Sequence, residues 1–267
     1  MKREFPNILD TANPYKKRLL LPKQIGKLGA GYGEYQSPFG ITLDDDERIY
    51  VVDFSNKEIV VFLTNGIFIT KFGKGQLGHP HSIALDEDCV FISNYAQDSL
   101  IKLSEITTNI VRSEEELSYP NGLTIDSNRQ VLTADRYNDR IAIFTSELIF
   151  IRDIGREQLH EPCDVKLRFK QIFISDSNRI KNIHIFSESG EFMKSIIKSQ
   201  NGTGGIYFCF DLCDNILISD FYGNSIQIYT KDEELIYKID CMGLPTGIAV
   251  TDNFNIVSAC ISLTVYS

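Results

Sequence analysis

The stretch SPFGITLDDDERIYVVDFSNKEIVVFLTNGIFITKFG, residues 37–73, holds four short apolar runs separated by polar turns. The first run is P-x-G-I-x-L-D, beginning at Pro38. A polar turn follows, then Ile49–Val52, an aspartate at position 53, a short loop and Ile59–Phe62. Thr64-Asn65-Gly66 then leads into Ile67–Phe72. β-Branched and aromatic residues dominate the runs, and Asn-Gly between alternating apolar segments marks a tight hairpin. The stretch reads as a four-stranded antiparallel sheet, with strands a to d in chain order.

Working outward, the same pattern returns five times. It recurs as HPHSIALDEDCVFISNYAQDSLIKL from His79, YPNGLTIDSNRQVLTADRYNDRIAIFTSELIFIRDIG from Tyr119 and EPCDVKLRFKQIFISDSNRIKNIHIFSESGEFMKSII from Glu161. Two further units are GGIYFCFDLCDNILISDFYGNSIQIYTKDEELIYKI from about Gly204 and LPTGIAVTDNFNIVSACISLTVYS from Leu244. The residue closing strand b is Asp53, Asn94, Asp135, Asp176, Asp220 and finally Cys260, at separations of 41, 41, 41, 44 and 40. The opening proline stands at 38, 80, 120, 162 and 245, with Gly205 in its place in the fifth unit. Two landmarks in register at a period near 41 define one propeller blade per unit. The fold class is therefore all-β: a six-bladed β-propeller of four-stranded antiparallel blades. A sheet apolar on both faces has no stable solvated form alone, and stacking blades around an axis buries both faces.

The sixth unit stops at Ser267, after its third strand. KRLLLPKQIGKLGAG, residues 17–31, resembles the d strand and exit loop IFITKFGKGQLG, residues 67–78. Residues near 18–28 are thus expected to complete the last blade, leaving no open seam. Residues 1–17 read as an irregular leader. Residues 18–267 read as a single propeller domain with blades starting near 37, 79, 119, 161, 204 and 244.

Of 267 residues, 43% are hydrophobic and 24% charged, a globular composition. No apolar run approaches the ~18 residues needed to span a bilayer, so no membrane partner is expected. The start MKREFPNILD lacks the apolar core of a secretory signal, which predicts a cytoplasmic location; the domain is expected to be monomeric. The six cysteines read as reduced structural thiols. Cys89, Cys209 and Cys260 lie in apolar runs as small hydrophobes, Cys209 and Cys213 flank a hairpin that brings them near each other, and no Cys/His spacing matches a zinc motif. The net charge of -9 argues against the chain as a whole being a non-specific nucleic-acid binder, leaving room for a local basic patch, and no DNA partner is expected.

The pattern P-x-G-I-x-x-D, I-x-V-x-D and N-x-x-I-x-V-F resembles the NHL repeat, with residues 37–73 and 119–155 matching best. The resemblance covers roughly residues 18–267 and is similar to the C-terminal propellers of tripartite-motif NHL ubiquitin ligases. It implies a binding domain that recruits a protein partner, with RNA as the alternative ligand on the same face. This chain carries no RING or B-box cysteine–histidine pattern, so any ligase role would be substrate recruitment.

In a blade the a–b and c–d turns share one face, here called the turn face. The b–c and d–a loops share the other, the loop face. The turn face is acidic, with Asp44, Asp45, Asp46, Glu47, Asp86, Glu87 and Asp88 among its residues. These are solvated turns that repel nucleic acid. The loop face carries Phe54, Tyr95, Arg136, Tyr137, Phe221 and Tyr222, with Arg140 and Arg179 beside them. Aromatic rings next to arginines form protein-interface anchors and also stack on single-stranded nucleic acid. The acidic run Glu114–Glu116 on this face opposes the RNA reading. The recurring aspartate reads as architecture, a carboxylate that caps loop N–H groups.

Around the channel mouth the positions after the proline are Phe39, His81, Asn121, Cys163, Ile206 and Thr246. The next ring is Gly40, Ser82, Gly122, Asp164, Tyr207 and Gly247, where Asp164 and Tyr207 break a small-residue rule. Asp164 reads as a carboxylate for free backbone N–H groups or for a cation. Two enzyme groups on related propellers are the second alternative. His81 looks like one zinc histidine of the peptidyl-hydroxyglycine amidating lyases, but no other blade offers a histidine in that ring. Asn121 and Asp164 resemble two members of the calcium set in lactonase-like propellers, and the remaining acid is missing. No nucleophile-elbow, P-loop or dinucleotide motif occurs. The expectation is a non-catalytic protein-binding scaffold with no cofactor and no metal.

Overall fold

The computed structural model describes residues 14–15, 22–87, 89–104, 110–113, 116–177, 181–199, 206–260 and 262–267. Their regular structure is all strand apart from two single 3₁₀ turns, Tyr95–Gln97 and Arg136–Asn138. Six four-stranded antiparallel sheets are present. Blade one is Pro38–Leu43, Ile49–Asp53, Glu58–Phe62 and Phe68–Phe72. Blade two is Pro80–Asp86, Cys89–Asn94, Ser99–Ser104 and Ile110–Arg112, and blade three is Pro120–Ile125, Val131–Asp135, Arg140–Phe144 and Phe150–Ile154. Blade four is Pro162–Arg168, Gln171–Asp176, Lys181–Ser187 and Phe192–Ser199, and blade five is Ile206–Phe210, Ile216–Asp220, Ser225–Tyr229 and Leu235–Asp240. Blade six is Ile248–Val250, Ile256–Ala259, Leu263–Tyr266 and, from the other end of the chain, Pro22–Ile25. Each a strand packs on the next around the axis, and the last packs on the first. Among the described residues no helix is long and apolar enough to cross a membrane.

The two-residue period of the strands explains the stacking. Ile49 and Val51 join a cluster with Val257 and Val265 of blade six. Their neighbours Tyr50 and Val52 point the other way, into a cluster with Ile83, Val90 and Ile92 of blade two. Every junction between blades carries one such cluster, so the core is a ring of six slabs. Each slab is shared by two sheets, which suits strands apolar on both faces.

Closure falls where the strand resemblance places it. Pro22 pairs with Tyr266 and Ile25 with Leu263. Within the expected segment 18–28, residues 18–21 lie outside the described residues. Lys27–Leu28 leaves blade six and pairs in parallel with Glu34–Tyr35. Gly26, at φ +65, makes that departure, and a Cβ there would meet Tyr35 Cε1 at 2.8 Å. The Tyr35 hydroxyl fastens the seam: it donates to the Ile25 carbonyl at 2.8 Å and accepts the Leu263 N–H at 2.9 Å. Tyr15, from the expected leader, is buried against Phe254, and its hydroxyl donates to Asp211 Oδ2 at 3.1 Å.

Candidate functional site

The residue closing each b strand builds the loop face. The buried Asp53 carboxylate accepts the N–H groups of Gln36 at 2.9 Å, Ser37 at 3.2 Å and Asn56 at 3.1 Å. It therefore ties the preceding d–a loop to its own b–c loop. Asn94 accepts from His79 N–H at 2.7 Å, Asp135 from Ser118 at 2.6 Å and Asp176 from His160 at 2.6 Å. Recurrence is the mark of a structural cap, as the repeat implies. A second clamp runs between blades. Asp98 Oδ1 accepts Tyr119 N–H and Asp139 Oδ1 accepts Glu161 N–H, both at 2.8 Å. These bonds hold Tyr119 and Glu161, each just before a proline, at φ 53. That conformation is uncommon for non-glycine residues and needs such support.

On this frame the rings form a continuous run. Phe54 contacts Phe39 with centroids 5.4 Å apart, and Phe39 contacts His81 at 4.7 Å. His81 stacks on Tyr95 at 5.2 Å, Tyr95 meets Tyr119 at 4.7 Å, and Tyr119 meets Tyr137 at 4.7 Å. The Arg136 guanidinium closes the run 5.5 Å from the Tyr137 ring centroid and pairs with Glu161 at 2.8 Å. Tyr137 is 49% exposed and Tyr119 36%, while Phe54, Tyr95 and Arg136 are half-buried. Phe221 and Tyr222 pack on each other at 4.9 Å on blade five. Among the described residues no ring contact joins that pair to the run.

At the channel mouth Tyr207 reaches across the axis from blade five. Its hydroxyl lies 3.3 Å from His81 Nε2 and donates to Asn121 Oδ1 at 3.3 Å. Strand pairing accounts for the reach. Ile206 pairs with Asp220 as the prolines pair with their anchors, and the strand has no bulge. Ile206 therefore holds the proline position, a correction to its placement in the first ring. Tyr207 falls level with Gly40, Ser82, Gly122 and Asp164. The small-residue rule has a steric origin, since a Cβ on Gly247 would meet the Phe39 carbonyl oxygen at 2.2 Å. Burial and the nearby Arg136 charge press the His81 imidazole down to about 3, so it is neutral at physiological pH. Burial pushes the Tyr207 phenol well above its usual range.

Two of the residues singled out in the sequence are held by neighbours in the fold, Asp164 by the backbone N–H groups expected of it. Asp164 is buried, accepts Val165 N–H at 2.9 Å and Phe208 N–H at 3.3 Å, and pairs with Lys166 at 2.8 Å. Arg140 does not present a contact surface. It is 4% exposed and pinned by Asp135 at 2.6 Å, Asp153 at 3.0 Å and the Glu116 carbonyl at 3.1 Å. Its sequence neighbourhood, a b–c loop beside Arg136 and Tyr137, hides that it starts strand c. Arg179, Glu114 and Glu115 lie outside the described residues. Sequence reasoning missed Tyr119, His79 and Glu161, the residues immediately before the prolines. That position recurs before each of the five prolines, which was the available signal. The acidic turns are built as Asx turns: Asp44 Oδ1 accepts the N–H groups of Asp46 at 3.0 Å and Arg48 at 2.8 Å. Asp88 lies outside the described residues.

The class is a closed six-bladed β-propeller that carries an NHL repeat, because residues 117–144 match the NHL repeat model. No curated protein matches the sequence. Among solved structures the chain is similar to a streptogramin B lyase, with TM-score 0.69 at 11% identity, covering 92% of this chain and 97% of that one. It is also similar to a catalytically inactive variant of the virginiamycin B lyase from Staphylococcus aureus, solved with quinupristin. That likeness has TM-score 0.68 at 16% identity, covering 90% and 82%. The WD40 propeller domain of Doa1 gives TM-score 0.65 at 11% identity, covering 86% and 78%. At these identities the likeness is one of fold.

Proposed function

We propose that this chain is a non-catalytic binding scaffold that holds a protein segment on its loop face, over the ring run from Phe54 to Tyr137. The run itself carries the reading. Six rings from three blades, in mutual contact and, apart from the buried His81, partly exposed, give a rigid strip with little side-chain entropy to lose on binding. The Arg136 cation at one end gives the strip polarity. Three buried side-chain nitrogens without a partner among the described residues, His79 Nδ1, His81 Nδ1 and Arg136 Nε, lie on the same strip. A peptide carbonyl or carboxylate oxygen suits the Arg136 Nε–H; with the Tyr207 proton given to Asn121, neutral His81 carries its proton on Nε2, so its Nδ1 is an acceptor that suits a peptide N–H. Cytoplasmic recruitment, including substrate capture for a ubiquitin ligase, follows from the NHL resemblance.

RNA is the second reading, supported by the same rings and opposed by the net charge of -9. Catalysis at the axis is the third, supported by the lyases among the fold relatives. The neutral His81 at the mouth is a weak base there, and no metal-ligand group of three His, Cys, Asp or Glu is found among the described residues.

Panning a random phage-displayed peptide library against the full chain tests the reading. Enriched peptides are expected to lose about 2 kcal/mol or more of binding, about 30-fold, against Tyr137→Ala or Arg136→Ala. Circular dichroism should show both variants folded. Peptides that bind these variants undiminished contradict the proposal. Salt-sensitive capture of single-stranded RNA in place of peptide would instead support the RNA reading.

A further inference from the structure

The turn face changes character at blade four. Where strand a gives way to the a–b turn, the other five blades carry an acid or a threonine: Asp44, Asp86, Asp126, Asp211 and Thr251. Blade four has Arg168 there, followed by Phe169 and Lys170. Phe169 and Lys170 alone connect Pro162–Arg168 to Gln171–Asp176, and both have positive φ, 52 and 56. Such a turn favours Asn-Gly, and a bulky aromatic residue in it is strained. The Phe169 ring gains no burial in return, since it is 63% exposed. The Arg168 guanidinium lies 5.2 Å from the ring centroid and donates from Nε to Asp214 Oδ1 at 2.8 Å.

Beside this turn a cleft of about 430 Å³ opens between blades three and four. Its floor is Leu132, Ile143, Leu167 and Ile172, an edge of the apolar slab those two sheets share. Arg152, from the d strand Phe150–Ile154, bridges to the c–d turn of blade four, donating to the Ser189 carbonyl at 3.1 Å and the Glu188 carbonyl at 3.0 Å. Both acceptors are carbonyls, and among the described residues no carboxylate pairs with Arg152 or with Lys170. The lining thus sets three cations, Arg152, Arg168 and Lys170, against Asp126 and Glu188. Asp126 is turned onto the N–H groups of Asn128 at 2.9 Å and Gln130 at 2.7 Å. The volume falls within the about 300–1,000 Å³ of small-molecule sites.

We propose that this cleft binds a small amphipathic anion, an apolar body carrying one carboxylate. The body displaces water from Leu132, Ile143, Leu167 and Ile172, with the Phe169 ring against it, and the carboxylate meets Arg152 and Lys170. Burial of the apolar body supplies the affinity. The cations fix orientation and select the sign of charge, because a carboxylate bonds a guanidinium or ammonium strongly and a ligand cation would meet like charge. The selection runs against the net charge of -9, so it is a property of the cleft and not of the chain as a whole. The site lies on the opposite face from the ring run and does not depend on what the loop face binds.

The test titrates the full chain with 2-naphthoate by isothermal titration calorimetry, beside 2-naphthylmethanol and 2-naphthylmethylammonium, which keep the ring system and change the charge. One saturable site is expected for the anion, with the alcohol weaker by about tenfold and the ammonium weaker still. Lys170→Glu should weaken 2-naphthoate by about tenfold. Phe169→Gly relaxes the turn while removing the ring, and should weaken it by about fivefold. Should either variant misfold, hydrogen exchange on the unmutated chain serves instead: 2-naphthoate should slow exchange at Arg168–Ile172. Absence of binding, equal affinity for the three probes, undiminished binding in either folded variant, or protection confined to the loop face overturns the proposal.

Discussion

A single buried carboxylate explains much of what repeats in this chain. Asp53 is fully buried and accepts N–H groups from two loops. Asp53→Ala strands those donors and should cost about 1–3 kcal/mol, whereas Asp53→Asn keeps an acceptor and should cost less. Urea unfolding of both variants measures the difference, and equal stabilities would refute the capping role. His81 sets a second residue-scale expectation. An unfolded imidazole titrates at about 6.5, and the folded one is held down to about 3 by burial and Arg136. Between these values the unfolded chain binds a proton that the native chain refuses. Stability therefore rises with pH through that window and is lost as pH falls. The loss from pH 7 to pH 5 is about 2 kcal/mol. His81→Gln should remove this part of the slope, leaving that of His184, which burial also holds below the usual range. An unchanged slope would mean that His81 protonates freely in the fold.

Among the elements, the strand Pro22–Ile25 has the most consequence, because among the described residues it is the one that joins the two ends of the chain in one sheet. Tyr35→Phe removes the hydroxyl that bonds Ile25 and Leu263, leaving both buried backbone groups unpaired, at about 1–3 kcal/mol. Hydrogen exchange should then quicken at Leu263–Tyr266 more than at Ile141–Phe144 in blade three, and uniform quickening would contradict local control of the seam. The blades and the closing strand were legible because strand period, turn chemistry and spacing agree along most of the chain. Side-chain contacts within and between repeats were less legible. Arg140 reads as a loop cation, yet strand c carries it inward to Asp135 and Asp153. Tyr119 reads as the residue before a proline, yet Asp98 from the neighbouring blade turns it into the ring run. The missing bulge that frees Tyr207 to cross the axis depends on strand register, which spacing alone does not fix.

For the whole molecule, six apolar slabs make a rigid ring whose two faces differ in kind. One face is Asx turns and ion pairs such as Arg129 with Asp86 at 2.8 Å. The other presents contiguous rings held by backbone clamps. A rigid, partly apolar strip on a closed scaffold suits recognition, since its geometry is set before a partner arrives. We propose that partners meet this face over blades one to three, and the hydrogen-exchange footprint of a library-selected peptide on the full chain tests this directly. Protection is predicted at Tyr95–Asp98, around Tyr119 and at Arg136–Asp139. Protection confined to the turns at 44–48 and 126–130, or to the outer strands, would contradict it.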